Sequence, residues 1–421
     1  MVPDAPLSDT VPSPGSLNTL GEDPEALARL LAAIRRHLHR NPEVGMQEHD
    51  TSQFIRETLT RYGLDVKGPI AKTGLYVDIE GDHPGGHVGY RADIDALPAH
   101  DAKQTGYRSR NDGAAHLCGH DAHTAMGIGV ALMLHHRRHE LKGRARVFFQ
   151  PNEEGLPSGA PLMIEDGILS GLDAVYAVHV DPSLGVGRYG LMTGPITAAS
   201  DRFDVYIRHE GTGHSARPHE SVDTVWVASQ IMNAFYQLAG RVTDPRNATV
   251  LTVCRLSGSR AHNVIPDEVE FGGTLRTVST DDRTFLRRKL GQVADQIASL
   301  HGANASVEYE MGSPPVINAA ALVSNIADTI RETFGDHAIY QIPRVSMGGE
   351  DFSHYLKHVP GALIRVGTAS SPETSHPLHD DRFDIDETPL APTARMMAQV
   401  LINHLDRQLT DDTISSGMWD E

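Results

Sequence analysis

The spacing of hydrophobic residues predicts a helix near the start of the chain. Asp23 can cap its N terminus, and Pro24 suits its first turn. Five aliphatic residues then recur at helical spacing: Leu27, Leu30, Leu31, Ile34 and Leu38. Further along, apolar runs predict strands at residues 88–91, 145–150, 173–180 and 362–366, and helices at residues 124–136 and about 319–334. Strands that alternate with helices indicate an α/β domain with helices packed on a mostly parallel sheet.

A different pattern occupies the middle of the chain. Strands are predicted at residues 201–208, 249–256, 268–277 and 305–310, and helices at residues 222–238 and about 281–300. Their order, β-α-β-β-α-β, is typical of a ferredoxin-like α+β arrangement. We therefore predict a catalytic domain formed by residues 23–196 and 312–412 and interrupted by an inserted domain at residues 197–311. Residues 1–22 and 413–421 are predicted to be mobile tails.

Composition narrows the class of protein further. The chain has 421 residues, which suits two domains because single cores stop growing at about 250–300 residues. Its net charge of −18 disfavours binding to nucleic acid or to a membrane surface. Two cysteines, Cys118 and Cys254, exclude a disulfide scaffold and, with no secretory signal, indicate a cytoplasmic protein. We expect Cys254 to be a small core residue of the inserted domain.

The sharpest local motif is Cys118-Gly119-His120-Asp121-Ala122-His123. A thiolate and an imidazole two residues apart can reach one ion, and the glycine between them eases the turn. Sulfur and nitrogen ligands at short spacing suit zinc or a similar ion. The alternative is a buried free cysteine beside unrelated histidines.

A pair of adjacent acids, Glu153 and Glu154, follows the strand predicted to end at residue 150. In open α/β sheets, sites form beyond the carboxyl ends of the strands. Neighbouring residues within a strand would face opposite ways, but just past its end two carboxylates can converge. One of them can bind a metal while the other acts as a base. The alternative is a solvated acidic loop.

Other candidates occupy similar positions. His179 ends a predicted strand, and Asp93 and Asp95 follow another, where one of these acids can orient a ligating histidine. His376 and His379 lie near the C terminus. The cysteine motif, the glutamate pair, His179 and Asp93 all point to one place at the end of strands in a single sheet, which favours a shared site.

These motifs together resemble the metal-dependent aminoacylase/carboxypeptidase superfamily of metallopeptidases. The resemblance is to the amidohydrolase branch that contains hippurate hydrolases and indoleacetyl-amino acid hydrolases. It runs through His-Leu-His-Arg-Asn-Pro-Glu at 37–43, Arg-Ala-Asp-Ile-Asp-Ala-Leu-Pro at 91–98, the cysteine motif, Gln-Pro-Asn-Glu-Glu-Gly at 150–155 and Leu378-His379. It implies a catalytic α/β domain interrupted by a ferredoxin-like lid that also forms a homodimer.

The resemblance also implies roles for individual residues. A site for two divalent metal ions, most simply zinc but also manganese, cobalt or nickel, would be held by Cys118, His120, Glu154, His179 and His379. His376 is the alternative to His379, because Asp380-Asp381 departs from the usual family pattern after this ligand. Glu153 would be the general acid/base, and Asp93 would support the site. In the lid, three residues fall on substrate-binding positions: His214, Asn263 and Arg276.

The implied function is hydrolysis of N-acyl amino acids to a carboxylic acid and a free amino acid. Arg276 offers a planar fork for the free carboxylate of such a substrate. A dipeptidase or carboxypeptidase would use the same metals and base. A cysteine hydrolase that uses Cys118 with His120 or His123 would leave the glutamate pair without a role. A non-catalytic metal-binding protein on the same fold is the fourth alternative, and it would not need Glu153.

Overall fold

The computed structural model of the chain describes residues 16–407. Its α-helices are α1 Leu17–Glu22, α2 Pro24–Arg40, α3 His49–Thr60, α4 His120–His136, α5 Gly159–Glu165, α6 Thr224–Leu238, α7 Thr280–Leu300, α8 Ala320–Phe334 and α9 Leu390–Arg407. Its strands are β1 Val66–Ile70, β2 Gly74–Glu80, β3 His83–Asp93, β4 Lys142–Gln150, β5 Ala174–Gly185, β6 Tyr189–Leu191, β7 Gly194–Pro195, β8 Ala199–Arg208, β9 Gly213–His214, β10 Thr249–Ser257, β11 Val264–Ile265, β12 Glu268–Thr277, β13 Asn304–Glu310, β14 Ile317–Asn318, β15 Ile339–Gln341 and β16 Gly361–Ala369.

The chain forms two compact units. The second consists of Pro195–Val316 and Arg344–Ser353, and the first contains the rest of the described residues. In the first unit, eight strands form one sheet in the order β1-β2-β4-β3-β5-β16-β6-β15. Its central neighbours β4, β3, β5 and β16 run parallel, while β1, β2 and β4 pair antiparallel at one edge. The predicted α/β class with a mostly parallel sheet is confirmed.

The second unit has an antiparallel sheet of four strands in the order β10-β12-β8-β13. The chain order β8-α6-β10-β12-α7-β13 is the β-α-β-β-α-β sequence of elements. Apolar side chains of α6 and α7, among them Ile231, Phe235 and Leu290, pack with Phe203 and Phe271 of the sheet in a core of their own. This separate core explains why the unit is compact by itself.

The N-terminal helix forms as its sequence pattern predicts. The Asp23 carboxylate accepts a hydrogen bond from the Glu25 backbone N–H at 2.9 Å, and Pro24 is in the first turn of α2. The predicted aliphatic stripe is buried on the inner face of the helix. The predicted tail, however, ends too late, because residues 17–22 form α1. Ser16 caps α1, and Leu20 is buried. Residues 1–15 and the predicted C-terminal tail lie outside the described residues.

Two other sequence expectations are corrected. The helix predicted at residues 124–136 begins earlier, at His120, because Gly119 adopts a left-handed conformation with φ 87° and turns the chain into α4. A Cβ atom at position 119 would lie 2.3 Å from Val180, so only glycine fits there. Cys254 is exposed rather than buried in the core. It lies at a register shift between Val253 and Arg255, where the strand pairing skips it.

The last helix and the apolar character of all the helices complete the fold. Helix α9 was not among the predicted elements, although twelve of its eighteen residues are buried. Between residues 16 and 407, none of the helices combines the length and the apolar character needed to cross a bilayer.

Candidate metal centre and active site

Side chains from four separate segments of the first unit meet beside the sheet. Ligand atoms of Cys118, His120 and His179 lie within 4.8 Å of one another. The same limit holds for two overlapping groups, Cys118-Glu154-His379 and His120-Glu153-Glu154. The structure therefore brings together the five residues predicted to be metal ligands and the residue predicted to be the base.

His120 lies in the first turn of α4 and is held by Asp95. Its Nδ1 lies 3.0 Å from the backbone oxygen of Asp95 and 3.1 Å from that residue's Oδ1, so Nδ1 carries the proton and donates it. Nε2 of His120 is buried and has no hydrogen-bond partner among the described residues. An unsatisfied buried nitrogen with its lone pair aimed at other donors fits a metal ligand.

Asp95 also holds the backbone of the second residue of the glutamate pair. Its Oδ2 accepts a hydrogen bond from the backbone N–H of Glu154 at 3.0 Å. One buried acid thus orients His120 through one oxygen and the segment that carries Glu154 through the other. The sequence indicated that one acid of the Asp-Ile-Asp segment could play this part, and the structure assigns the contact with Nδ1 of His120 to Asp95 rather than Asp93.

His179 and Cys118 face each other across the site. His179 donates from Nδ1 to the backbone oxygen of Val180 at 2.7 Å, which leaves Nε2 to point at Cys118 Sγ, 3.6 Å away. Burial, assisted by the charge of Arg365, holds the pKa of His179 well below its usual range, so the ring is neutral as a ligand must be. Burial and the charge of Glu154 raise the pKa of the Cys118 thiol. A thiolate here therefore needs a cation beside it.

His379 reaches the site from the C-terminal part of the chain. Its Nε2 lies 3.0 Å from Glu154 Oε1. The ring is positioned by a left-handed backbone, with φ 69°, and by a hydrogen bond of 2.8 Å from its N–H to the Leu117 oxygen. A non-glycine residue in this conformation is strained, which is common at functional sites. His376 instead has its Nδ1 4.0 Å from Asp380. The geometry favours His379 over His376.

Asp93 lies beneath the ligands. It accepts from Arg91 at 2.6 Å and pairs with His123 Nδ1 at 2.7 Å. Although burial raises its pKa, the charge of Arg91 and the hydrogen bond from His123 hold the pKa of Asp93 well below its usual range. His123 Nε2 in turn accepts the Val180 N–H at 2.9 Å. Because both ring nitrogens are engaged, His123 supports the site and has no lone pair for a metal.

The loop that carries Glu153 is fixed by a buried acid that sequence reasoning missed. Glu48 accepts from the Asn152 N–H at 2.9 Å and from the Thr73 hydroxyl at 2.7 Å. Asn152 has φ 51°, and its side chain donates to the Pro157 oxygen at 2.8 Å. These contacts hold the turn just before Glu153. No spacing rule links residue 48 to residue 152, so the sequence carries no signal for this contact.

The three predicted substrate-binding residues belong to the second unit. His214 and Val264 are register partners in the small sheet of β9 and β11, and the Ser215 N–H donates to the Asn263 oxygen at 3.1 Å. The two predicted residues, His214 and Asn263, are therefore adjacent and exposed. Arg276, on β12, is half-buried, and its Nη1 donates to the Met347 oxygen at 2.8 Å. It forms no ion pair with another described residue.

Comparison with known protein families shows which family the chain belongs to. The sequence model of peptidase family M20/M25/M40 matches residues 89–403, a range that contains the five predicted ligand residues and Glu153. The chain belongs to this family. It is therefore a hydrolase of the M20 type, and the resemblance inferred from its motifs is confirmed.

Relatives of this M20 member cover almost the whole chain. N-acetyl-L-cysteine deacetylase of Bacillus subtilis (strain 168) is 39% identical over 364 residues, which cover 86% of this chain and 85% of the relative. IAA-amino acid hydrolase ILR1-like 2 of Arabidopsis thaliana is 34% identical over 389 residues, 91% of this chain and 87% of the relative. The crystal structure of the Bacillus subtilis YXEP protein, described as a dinuclear metal-binding peptidase of the M20 family, has a TM-score of 0.81 at 32% identity and covers 91% of this chain and 99% of its own.

The donor set of this M20 member fits two metal ions. One sulfur, three imidazole nitrogens and one carboxylate are available from Cys118, His120, His179, His379 and Glu154. In both His120 and His179, Nδ1 is engaged in a hydrogen bond and Nε2 is left for a metal, as is usual for ligating histidines. The carboxylates gather negative charge that a cation would offset, and a cation would also favour the thiolate form of Cys118.

Proposed function

We propose that this protein is a metal-dependent amidohydrolase that cleaves N-acyl amino acids to a carboxylic acid and a free amino acid. The observation that carries the proposal is the position of Glu153, within 4.8 Å of ligand atoms of His120 and Glu154. A binding protein needs the ligands but not this additional carboxylate. The N-acyl amino acid substrates named for relatives in Bacillus subtilis and Arabidopsis thaliana support the same class of reaction.

The five ligand residues would hold two divalent ions, which we propose to be zinc because sulfur, nitrogen and oxygen donors are combined; manganese, cobalt and nickel are the alternatives. When bound, such ions lower the pKa of water and polarise the amide carbonyl. Glu153 accepts the proton of the attacking water. It then gives that proton to the nitrogen of the leaving amine, so one residue serves as base and acid in turn.

Two residues of the second unit would bind the substrate. His214 accepts a hydrogen bond on Nδ1 from the Ala216 N–H at 3.1 Å, so the proton of its neutral ring is on Nε2. That N–H can donate to the carbonyl oxygen as negative charge develops on it. Arg276 retains N–H donors beyond the one bound to Met347 and can pair with the α-carboxylate.

The competing functions differ in measurable ways. A cysteine hydrolase would need a reactive thiolate, but burial and the charge of Glu154 raise the pKa of Cys118. Activity that survives removal of metal by a chelator would overturn the metal-dependent proposal. A hydrolysis screen of acetyl, benzoyl, long-chain and indoleacetyl amino acids beside dipeptides, each with defined metals, tests the substrate class. Cleavage of dipeptides alone would favour the peptidase alternative.

Replacing Arg276 with alanine is expected to lower kcat/KM for N-acyl amino acids by about 10- to 100-fold, the usual size of a lost charge-assisted hydrogen bond. The matching N-acyl amino acid amides, which lack the carboxylate, should lose far less. Steady-state kinetics on each acid and its amide measure the difference. Equal losses on both would mean that Arg276 serves only to anchor the segment around Met347.

We further propose a homodimer formed through the second unit. Helix α6 exposes apolar side chains to solvent, including Val225, Trp226 and Tyr236, of which Trp226 is 53% exposed. Strand β10, at the edge of its sheet, exposes Leu256, at 61%. Apolar residues next to an unpaired strand edge favour association with a second copy. In such a dimer, His214 and Asn263 would act in the site of the neighbouring subunit.

A mixture of two inactive variants tests this sharing of residues. Glu153→Gln and His214→Ala homodimers should both be inactive, for different reasons. In each heterodimer, the His214→Ala subunit keeps its own Glu153 and receives an intact His214 from its partner. With random pairing about half the dimers are mixed, and each has one complete site, so about a quarter of wild-type activity should return. Mixed dimers that form but stay inactive would exclude the sharing of His214.

A further inference from the structure

An arginine lies beside the metal site on a central strand of the main sheet. Along β16, Ala362, Ile364 and Val366 belong to the main hydrophobic core. Arg365 lies between Ile364 and Val366, so its side chain points to the opposite face of the sheet. Its register partner on the parallel strand β5 is His179, a ligand residue. Partners in a parallel pair share a face and lie about 4.8 Å apart, so Arg365 and His179 are immediate neighbours.

Arg365 is partly exposed, and its second register partner is a glycine. Its register partner on the other side, in β6, is Gly190, which has no side chain. A Cβ atom at position 190 would lie 3.0 Å from the Arg365 Cβ and 3.1 Å from the Ile342 side chain, so a larger residue would crowd Arg365 there. Arg365 is half-buried, whereas the four residues before it on β16 are buried. The Arg365 side chain is therefore partly open to solvent, at the same level of the sheet as the ligand residue His179.

The charge of Arg365 is not neutralised by the protein. It forms no hydrogen bond or ion pair with any residue between 16 and 407. By contrast, Arg146 is paired with Asp78 at 2.7 Å and Arg35 with Asp121 at 2.8 Å. A half-buried, unpaired guanidinium is a favourable place for an anion.

We propose that Arg365 determines specificity by binding a second carboxylate of the substrate, beyond the α-carboxylate assigned to Arg276. This inference rests on the proposed hydrolysis of N-acyl amino acids. The second carboxylate belongs either to the side chain of an acidic amino acid or to the far end of a dicarboxylic acyl group. Both place a negative charge within a short reach of the amide bond that is cleaved.

The test compares acids with neutral amides of the same shape on the metal-loaded protein. N-acetylglutamate is paired with N-acetylglutamine, and N-succinylmethionine with N-succinamoylmethionine. We expect wild-type kcat/KM to favour the acid in one of these pairs, which identifies the source of the carboxylate. Arg365→Met should lower kcat/KM for that acid by about 10- to 100-fold and leave its amide within about twofold. Arg365→Lys should retain part of the preference, because it keeps the charge but not the fork.

The controls separate this inference from the proposed function. Arg144→Met removes the same charge near the amino end of β4, whereas Glu153 follows the carboxyl end of that strand. This variant should not change the ratio of kcat/KM values in either acid–amide pair. Hydrolysis of N-acetylmethionine by wild type supports the proposed function whatever the outcome for acids. If it is hydrolysed and neither acid is preferred, the assignment of Arg365 is wrong. Equal losses on acids, amides and N-acetylmethionine in Arg365→Met would also overturn it, because they mean a structural role or a contact with the α-carboxylate.

Discussion

Replacing Glu153 with glutamine is expected to abolish turnover while metal content stays near that of the wild type. Glutamine keeps the shape of the side chain but cannot accept the proton of water, and general acid–base catalysis contributes about 10²–10⁴-fold to rate. The structure supports separate roles for the two glutamates. Glu154 has its carboxylate 3.0 Å from His379 and its N–H bound to Asp95, as suits a ligand. Steady-state kinetics and metal analysis of the same preparation measure both quantities.

Two matched variants complete this experiment. Glu154→Gln should lose metal and activity together, because it removes a ligand. Glu165→Gln changes an exposed glutamate at the end of α5 and should change neither. Loss of metal from Glu153→Gln, with metal retained in Glu154→Gln, would reverse the two assigned roles.

Replacing Cys118 with alanine is expected to lower metal occupancy and activity together. Cys118 takes part in two of the overlapping ligand groups, so its loss weakens both. Removal of a residue that only supports a ligand typically costs 10- to 100-fold in metal affinity, so loss of this ligand should cost at least about 100-fold. Equilibrium dialysis followed by metal analysis measures the affinity. With cobalt bound, the thiolate-to-metal absorption band should also disappear.

Cys254→Ala is the matched control, because the second cysteine is exposed and belongs to the other unit. It should keep both metal and activity. A Cys118→Ala protein with full occupancy and full activity would exclude Cys118 from the ligand set. Full occupancy without activity would instead make Cys118 a candidate for a direct part in the reaction.

Much of the fold follows from local patterns in the sequence. The aliphatic repeat of α2, its cap at Asp23 and the apolar strands before residues 93 and 150 depend on near neighbours along the chain. Such patterns also place the cysteine motif and the glutamate pair at chain positions where α/β proteins form their sites. Helix α4 shows the limit of such patterns, since it is buried on nearly all sides and its start at His120 is set by the left-handed turn at Gly119.

The choice among similar residues required the tertiary structure. The sequence contains two acids at 93 and 95 and two histidines at 376 and 379, and their spacing does not separate them. The structure brings Asp95 to His120 and His379 to Glu154. Both choices depend on contacts between segments far apart in the chain, such as the hydrogen bond from His379 to Leu117.

The sequence by itself therefore determined the class of the fold, the kinds of ligand available and the family of the chemistry, because these depend on residue type and short spacing. Only the tertiary structure decided which side chain meets which. Glu48 beneath the Asn152 turn and Arg365 beside His179 illustrate this, since strand register and packing, rather than any repeat in the sequence, bring these pairs together.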